Sequence, residues 1–230
     1  MIVSHTRRFI FIKSAKTAGT SFEAALSNFC SANDIVTPLG DYEFNKDETG
    51  RWVHRPMNSD GFEQHDWAST IREKIDPEQW NAYLKFSIVR NPWDRVVSLF
   101  TWKARKDPSF REETRRLAAS GDRDAELRFV RERFADFVDG DWQTNDRFYY
   151  VDGQYCLDHM LRYESLPSDT LELCDRLGIP AIELPRLKAG FRPGELHYSD
   201  YYDDRARAVV ADRHRRDIER FGYEFERGRS

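Results

Sequence analysis

The sequence contains two segments in which cationic, hydroxyl and small residues directly follow a short apolar run. The first segment follows the apolar run Phe9–Ile12 and contains Lys16, Thr17, Ala18, Gly19, Thr20 and Ser21. The second runs from Arg90 to Ser98 after the apolar run Phe86–Val89. A loop that leaves a buried strand and opens a helix presents backbone N–H groups and the positive end of the helix dipole. Each segment is therefore predicted to bind an anion, and a ligand with two separated phosphates would occupy both.

The first segment supplies three kinds of phosphate donor. Gly19 allows close approach of the backbone, and Lys16 adds a mobile positive charge. An ordinary turn with a solvent-facing lysine is disfavoured by the apolar strand before it and the amphipathic helix after it. The Walker pattern does not fit, because it needs two glycines five positions apart with a lysine directly after the second, and here the single Gly19 follows Lys16. Hydroxyl donors are predicted at Thr17, Thr20 and Ser21.

The second segment combines a planar cation with a short hydroxyl donor. Arg90 offers a fork suited to phosphate, and Pro92 fixes the turn between strand and helix. Ser98 lies slightly more than two turns further along the predicted helix, at about 3.6 residues per turn. Arg90 and Ser98 are therefore expected to face one ligand from the same side. Alone, this segment also fits a helix-start turn whose arginine pairs with a carboxylate.

Strand and helix patterns alternate around these segments. Strands are predicted at 9–12, 85–89 and 159–163. Helices are predicted after caps at Thr20 and Ser21, from Trp67 to Ile75 with a Thr70/Glu73 capping box, from Asp76 toward Trp80, from Asp94 to about Lys106, within 107–147, up to Gly178, and from about Asp203 to Phe221. Residues 33–60 give no confident element.

The alternation predicts an α/β fold: a three-layer sandwich with a central parallel sheet, plus added helices from residues 107–147. A chain of 230 residues is long enough for one substantial core, so a single domain over 1–230 is expected.

The composition limits the classes of partner. A net charge of −4 argues against a protein whose whole surface binds nucleic acid. No apolar run is long enough for a membrane span or a signal peptide, which predicts a soluble, cytoplasmic protein. The three cysteines are odd in number and not closely paired, so free thiols in a reducing compartment are expected. The oligomeric state, including a homo-oligomer, stays open.

The two segments together resemble the sulfotransferase superfamily, in the branch that includes carbohydrate sulfotransferases. The resemblance rests on Lys16 to Ser21 and on Val89-Arg90-Asn91-Pro92-Trp93-Asp94-Arg95-Val96-Val97-Ser98. It extends to Leu161–Leu166 and Ile218–Phe225, and it fails in 33–64 and 107–147. The resemblance implies a P-loop-like sulfotransferase fold. It also implies that the first loop binds the 5′-phosphosulfate of 3′-phosphoadenosine 5′-phosphosulfate (PAPS), and that the second binds its 3′-phosphate.

The resemblance also implies a sulfuryl transfer that releases adenosine 3′,5′-bisphosphate (PAP) and needs no metal. Lys16 corresponds to the family lysine that contacts the leaving oxygen. An alcohol acceptor, with a sugar as one candidate, would benefit from a general base. Of the six histidines, His65 is the first choice, because relatives often carry a histidine there. His54 is the reserve, and Glu23 is a weaker candidate that more naturally serves as a helix-start charge.

Several roles stay open at this point. Lys13 stands where many relatives carry a different residue. Arg95 is either a second phosphate contact or, as we favour, a structural partner of a carboxylate. Lys188 and Arg192 lie in a loop that either closes over the nucleotide or stays solvated. Two other classes fit less well: a P-loop-type kinase or nucleotide hydrolase, and a non-catalytic protein that binds adenosine bisphosphate or a glycan.

Overall fold

The structure is a computed structural model that describes residues 1–40, 54–184 and 196–228. By their internal contacts these residues group into two compact units. The first comprises the described residues of Met1–Arg90 and Asn145–Ala189, and the second those of Asn91–Thr144 and Gly190–Ser230. The single domain expected from the chain length stays a prediction. Lys188 and Arg192 lie outside the described residues.

Short strands and helices alternate along the described chain. The strands are β1 Ile2–Ser4, β2 Phe9–Phe11, β3 Ile35–Val36, β4 Leu84–Val89, β5 Tyr150–Val151, β6 Gln154–Tyr155 and β7 His159–Arg162. The α-helices are α1 Gly19–Leu26, α2 Ala68–Lys74, α3 Pro77–Ala82, α4 Pro92–Ala104, α5 Pro108–Ser120, α6 Arg123–Asp139, α7 Asp146–Tyr149, α8 Leu166–Leu177, α9 Asp204–Arg213 and α10 Arg215–Phe221. None of the helices in the described ranges is long and apolar enough to cross a lipid bilayer.

A five-stranded sheet in the order β3-β1-β2-β4-β7 forms the first unit's centre. Strands β2, β4 and β7 are parallel, as predicted, but β1 pairs antiparallel with both β2 and β3. The sheet is therefore mixed: the three predicted strands form its parallel core, and β1 and β3 add an antiparallel edge that was not predicted. The physical reason is the short connection between β1 and β2, which can only join antiparallel neighbours. The α/β class itself is confirmed.

Aromatic rings fill one side of this sheet. Phe9 and Phe11 point to the same face of β2, because alternate residues of a strand share a face. Phe86 on the parallel neighbour β4 lies 5.5 Å from each of them, measured between ring centroids. Phe22 on α1 closes the cluster at 5.1 Å from Phe11. This packing fixes α1 against the sheet and so fixes the loop that connects β2 to α1.

The carboxyl ends of β2, β4 and β7 lie at one edge of the sheet, because the three strands are parallel. The segments that follow them there are residues 12–18, Arg90 and Tyr163. In α/β sheets, ligands bind at this edge. The fold thus brings the first predicted anion loop and Arg90 to the same edge.

The second unit is helical, as predicted for residues 107–147. Phe100 of α4 is its aromatic centre, with ring centroids 5.7 Å from Phe110 and 5.3 Å from Phe134. The predicted final helix is wrong in one respect: it is divided into α9 and α10. His214 between them has φ −105° and ψ 19°, outside the helical region, and its buried ring stacks on Trp142 at 5.7 Å.

Two predicted helix starts differ in the structure, and a third is confirmed. Helix α4 begins at Pro92, before Asp94, because the side chain of Asn91 accepts the N–H groups that open it. The Thr70/Glu73 capping box is wrong, since α2 starts at Ala68 and Thr70 already lies inside it. The start predicted at Asp76 is confirmed, and its carboxylate accepts the N–H of Glu78 at 2.7 Å.

Removing a ring from the sheet's aromatic cluster should destabilise the protein strongly. We expect Phe11→Ala to lower the free energy of unfolding by about 3–5 kcal/mol, because it leaves a cavity between α1 and the sheet. Leu171→Ala is the control, since Leu171 is 52% exposed on α8 and should change stability by about 0.5 kcal/mol or less. Urea denaturation measures both values, and equal losses would contradict the assignment of the cluster as core.

Candidate active site

The loop between β2 and α1 has an unusual backbone. Lys16 and Ala18 both adopt positive φ, at 66° and 65°, a left-handed conformation that residues other than glycine rarely take. Ala18 directly precedes the helical Gly19. A left-handed residue next to a right-handed one turns successive N–H groups toward a common point and forms an anion-binding concavity. The loop backbone therefore has the geometry expected of a phosphate-binding loop.

Gly19 is required here by packing. A Cβ atom on Gly19 would lie 2.8 Å from Cγ of Lys13, closer than carbon atoms approach without displacement. The glycine therefore lets α1 start directly above the buried stem of Lys13. This agrees with the predicted close approach of the backbone, and it identifies Lys13 as the neighbour that demands it.

Thr20 and Ser21 do not cap α1, so that prediction is wrong. The helix begins at Gly19, its N-cap is Ala18, and no side chain caps it. Both residues instead lie in the first turn, where N–H groups have no acceptor within the helix. A helix start without a side-chain cap is suited to an external anion.

Hydrogen bonds to the sheet hold the loop in place. Ser14 Oγ donates to the carbonyl of Ile88 on β4 at 2.6 Å. Thr17 Oγ1 lies 2.8 Å from Ser14 Oγ, and Thr17 is 1% exposed. The hydroxyl of Thr17 is thus engaged inside the loop, and a role for Thr17 toward a ligand would use its backbone N–H.

Asn145 is a loop support that sequence reasoning missed. Its side chain is buried, with Nδ2 donating to the carbonyl of Ala15 at 3.1 Å and Oδ1 accepting the Ala15 N–H at 3.3 Å. Tyr149, four residues later, donates its hydroxyl to the Ile88 carbonyl at 3.0 Å. The only sequence signal was a polar residue at the start of α7, because the partner lies 130 residues away along the chain.

Arg90 contacts the same loop. Its Nη1 donates to the carbonyl of Lys16 at 3.2 Å, and its guanidinium carbon lies 4.1 Å from the ring centroid of Tyr163. The structure therefore brings the Arg90 side chain, predicted for one phosphate, to the backbone of the loop predicted for the other. Tyr163, which sequence reasoning treated only as part of a strand, fixes the plane of the guanidinium by stacking.

Ser98 and Arg95 lie on α4 in the second unit. Ser98 is partly exposed, and its joint action with Arg90 stays a prediction. Arg95 is buried, with Nη2 donating to the carbonyl of Gln143 at 2.9 Å and Nη1 lying 3.4 Å from Nε2 of His214. These contacts, with a carbonyl and an imidazole, favour a structural role for Arg95 over a contact with a phosphate.

A buried ion pair lies beneath the loop and shows what Lys13, whose role the sequence left open, does in this unit. Lys13 Nζ lies 2.9 Å from Glu23 Oε2, and both side chains are essentially inaccessible to water. Lys13 Nζ also donates to Gln64 at 3.1 Å, and Thr37 Oγ1 donates to Glu23 at 2.8 Å. Lys13 therefore has a structural role in this unit.

Glu23 stays ionised in this setting. Burial by itself would raise the pKa of the Glu23 carboxyl, but the nearby charges of the Met1 amino group and of Lys13 hold it below its ordinary value of 4.5. A fully buried, paired carboxylate cannot accept a proton from a substrate in solution. This burial and pairing argue against Glu23 as a base. The prediction of a helix-start charge is wrong, because no acidic residue lies in the first turn of α1.

His65 is bound to this loop by its ring. Its Nδ1 lies 2.9 Å from the backbone carbonyl of Lys13. A carbonyl only accepts hydrogen bonds, which assigns the proton to Nδ1 and leaves Nε2 as the basic nitrogen. Partial burial removes water from the imidazole and, with the charge of Lys13, lowers its pKa below the ordinary 6.5. The hydrogen bond to the Lys13 carbonyl raises the pKa by less than this. His65 is therefore neutral at pH 7, as a general base must be.

The remaining reactive groups are held in structural contacts. His54, the reserve base, bonds through Nε2 to the carbonyl of Thr37 at 2.8 Å. Cys30, Cys156 and Cys174 are free thiols, as predicted, and burial raises the pKa of Cys30 to about 12 and that of Cys156 to about 11. Within residues 1–40, 54–184 and 196–228, no group of three or more His, Cys, Asp or Glu side chains is placed to hold a metal ion.

The left-handed loop and the uncapped helix start lie at the carboxyl edge of the sheet and are contacted by Arg90, and these are the features of an anion-binding site. A family model described as Sulfotransferase family matches residues 1–224. The chain belongs to the sulfotransferase family, and membership supports a sulfotransfer activity in general. Searches of curated proteins and of solved structures found no match.

Removing Lys13 should cost much more stability than removing an exposed cation. We expect Lys13→Met to lower the free energy of unfolding by about 3–5 kcal/mol, because it removes one of the two amino groups that contact the buried Glu23 carboxylate, the other being that of Met1. Arg116→Met is the control, because Arg116 is 65% exposed and pairs with Glu113 at the surface, where water and salt screen the pair and it contributes little to stability. Chemical denaturation gives both values, and a loss at Lys13 no larger than the control would refute the role of the pair.

The pKa of His65 predicts how stability depends on pH. The folded state holds the pKa of His65 below 6.5, so as the pH falls the unfolded chain binds a proton at His65 before the folded chain does. The free energy of unfolding therefore decreases as the pH drops below about 6.5. We expect His65→Gln to lose less stability than the unaltered protein between pH 7.5 and 5. His54 is present in both proteins, so its contribution cancels. Identical slopes of unfolding free energy against pH would contradict the lowered pKa.

Proposed function

We propose that this protein transfers a sulfuryl group from PAPS to a hydroxyl acceptor, with a carbohydrate as the candidate acceptor class. The observation that carries the proposal is the hydrogen bond from Arg90 to the carbonyl of Lys16. It brings two groups predicted to bind different phosphates into direct contact. Family membership supports the transfer chemistry, and the loop backbone supports an anionic donor.

The residues of the first unit fit a phosphosulfate end. An uncapped helix start and the left-handed Lys16 and Ala18 suit a group rich in negative oxygens. Gly19, Thr20 and Ser21 would contribute first-turn N–H groups, and Thr17 and Ala18 those of the loop. Arg90 would bind the 3′-phosphate with its planar fork, and Ser98 would add a hydroxyl donor.

The donor supplies a sulfuryl group, whose sulfur–oxygen bond to the 5′-phosphate breaks as the acceptor oxygen bonds to sulfur. Lys16 would stabilise the negative charge that develops on the departing oxygen. His65 Nε2 would accept the proton of the acceptor hydroxyl, since Nδ1 is engaged with Lys13. The loop backbone and Arg90 would hold the donor in line. No step requires a metal.

A nucleotide kinase or hydrolase is the competing class, and a ligand titration separates the two. We expect PAP at 100 times its dissociation constant to add about 2.7 kcal/mol of stability, measured by thermal unfolding, because it binds only the folded protein. ATP, which lacks the 3′-phosphate, should stabilise much less at equal concentration. Stabilisation by ATP alone would refute the proposal.

Lys16→Ala should separate binding from chemistry. We expect it to retain part of its PAP binding but to lose on the order of 10²-fold or more in turnover, as when other oxyanion donors are removed. Lys106→Ala removes an exposed lysine of the second unit and serves as the control. Transfer is measured by release of PAP in the presence of acceptor, and an unchanged rate in Lys16→Ala would remove Lys16 from the mechanism.

A further inference from the structure

An exposed tryptophan and an arginine form a stacked pair on the first unit. Trp67 is 44% exposed at the start of α2, and the guanidinium carbon of Arg147 lies 4.3 Å from its ring centroid. We propose that this Trp67–Arg147 pair binds the acceptor, and that the acceptor is a sugar carrying a carboxylate or sulfate. The proposal rests on the sulfotransferase function proposed above.

Two separate hydrogen-bonded contacts bring the pair to the anion loop. His65, two residues before Trp67, bonds to the carbonyl of Lys13 at 2.9 Å. Asn145, two residues before Arg147, bonds to both backbone groups of Ala15. The two segments also contact each other, because the ring centroid of His65 lies 6.1 Å from that of Phe148, the residue after Arg147. Trp67 and Arg147 therefore belong to the two segments that are hydrogen-bonded to the loop of Lys16.

Charge distinguishes Arg147 from the cations around it. On α2, Arg72 pairs with Asp152 at 2.9 Å and Lys74 pairs with Asp66 at 2.7 Å. Arg147 is exposed and forms an ion pair with no carboxylate among the described residues. Its positive charge is therefore available for an anion from outside the chain.

The chemistry of the two side chains defines the ligand. A guanidinium stacked on an indole keeps its N–H donors in its own plane, so it can still form paired hydrogen bonds with a carboxylate or sulfate. Tryptophan offers a large, rigid apolar face with a polar edge, which suits a ring that is apolar on one face and hydroxylated at its rim. An isolated exposed tryptophan needs no explanation. Trp67, however, stacks on an arginine that has no carboxylate partner among the described residues, and it lies two positions after the candidate base, so we take the pair as a binding surface.

The test uses two matched acceptors. One is a hexasaccharide of alternating glucuronic acid and N-acetylglucosamine, and the other is the same hexasaccharide with its carboxyl groups reduced to alcohols. Binding to the full chain is measured by calorimetry in the presence of PAP. We expect the carboxylated sugar to bind at least about tenfold more tightly, because loss of a charge-assisted hydrogen bond costs roughly 1.5–3 kcal/mol.

Variants assign the effect to the pair. Arg147→Ala and Trp67→Ala should each weaken binding of the carboxylated sugar by about tenfold or more, and Arg147→Ala should leave the reduced sugar unaffected. Arg147→Lys keeps the charge without the fork and should fall between. Arg111→Ala makes the same change of charge at an exposed position of α5 and should have no effect. PAP binding should be unchanged in every variant, which also shows that each is folded.

The outcomes separate the two proposals. If PAP does not bind the unaltered protein, the proposed function itself fails. If PAP binds but the carboxylated sugar does not bind, binds no better than its reduced form, or keeps its advantage in Arg147→Ala, the acceptor surface is refuted and the proposed function stands.

Discussion

The ion pair between Lys13 and Glu23 is removed from water on both sides and lies beneath the loop that carries Lys16. An ammonium and a carboxylate are costly to bury, so each must be fully satisfied by partners. Gln64, Thr37 and the amino group of Met1 contribute further contacts to the pair, and Gly19 packs on the stem of Lys13. The start of α1, and with it the direction of the first-turn N–H groups, therefore depends on this pair.

Above the pair, the loop carries backbone strain that the surrounding structure must offset. Left-handed conformations at Lys16 and Ala18 each cost on the order of 1–2 kcal/mol in a residue with a Cβ. Contacts from three directions hold them: the carbonyl of Ile88, the amide of Asn145 and the guanidinium of Arg90. Strain of this kind persists where function requires it, and a preformed anion cradle is the use that family membership suggests.

The same loop also organises the candidate base. The carbonyl of Lys13 fixes the tautomer of His65, while the ammonium of Lys13 and partial burial keep the ring neutral. Lys13 thus links the buried ion pair, the start of α1 and the candidate base. Asn145 and His65 extend the link to α7 and α2, whose exposed Trp67 and Arg147 form the acceptor surface that we propose.

The sequence by itself determined the α/β class, the strands β2, β4 and β7, the free thiols and the family, because apolar periodicity and short local motifs are encoded in neighbouring residues. It misassigned the caps of α1 and the helix-start role of Glu23, and it did not predict β1 and β3. Those depend on which distant groups meet: Asn145 contacts Ala15 across 130 positions, and Lys13 finds Glu23 only when α1 packs on the sheet. Tertiary structure decided them, because burial and pairing of charge are properties of the folded interior.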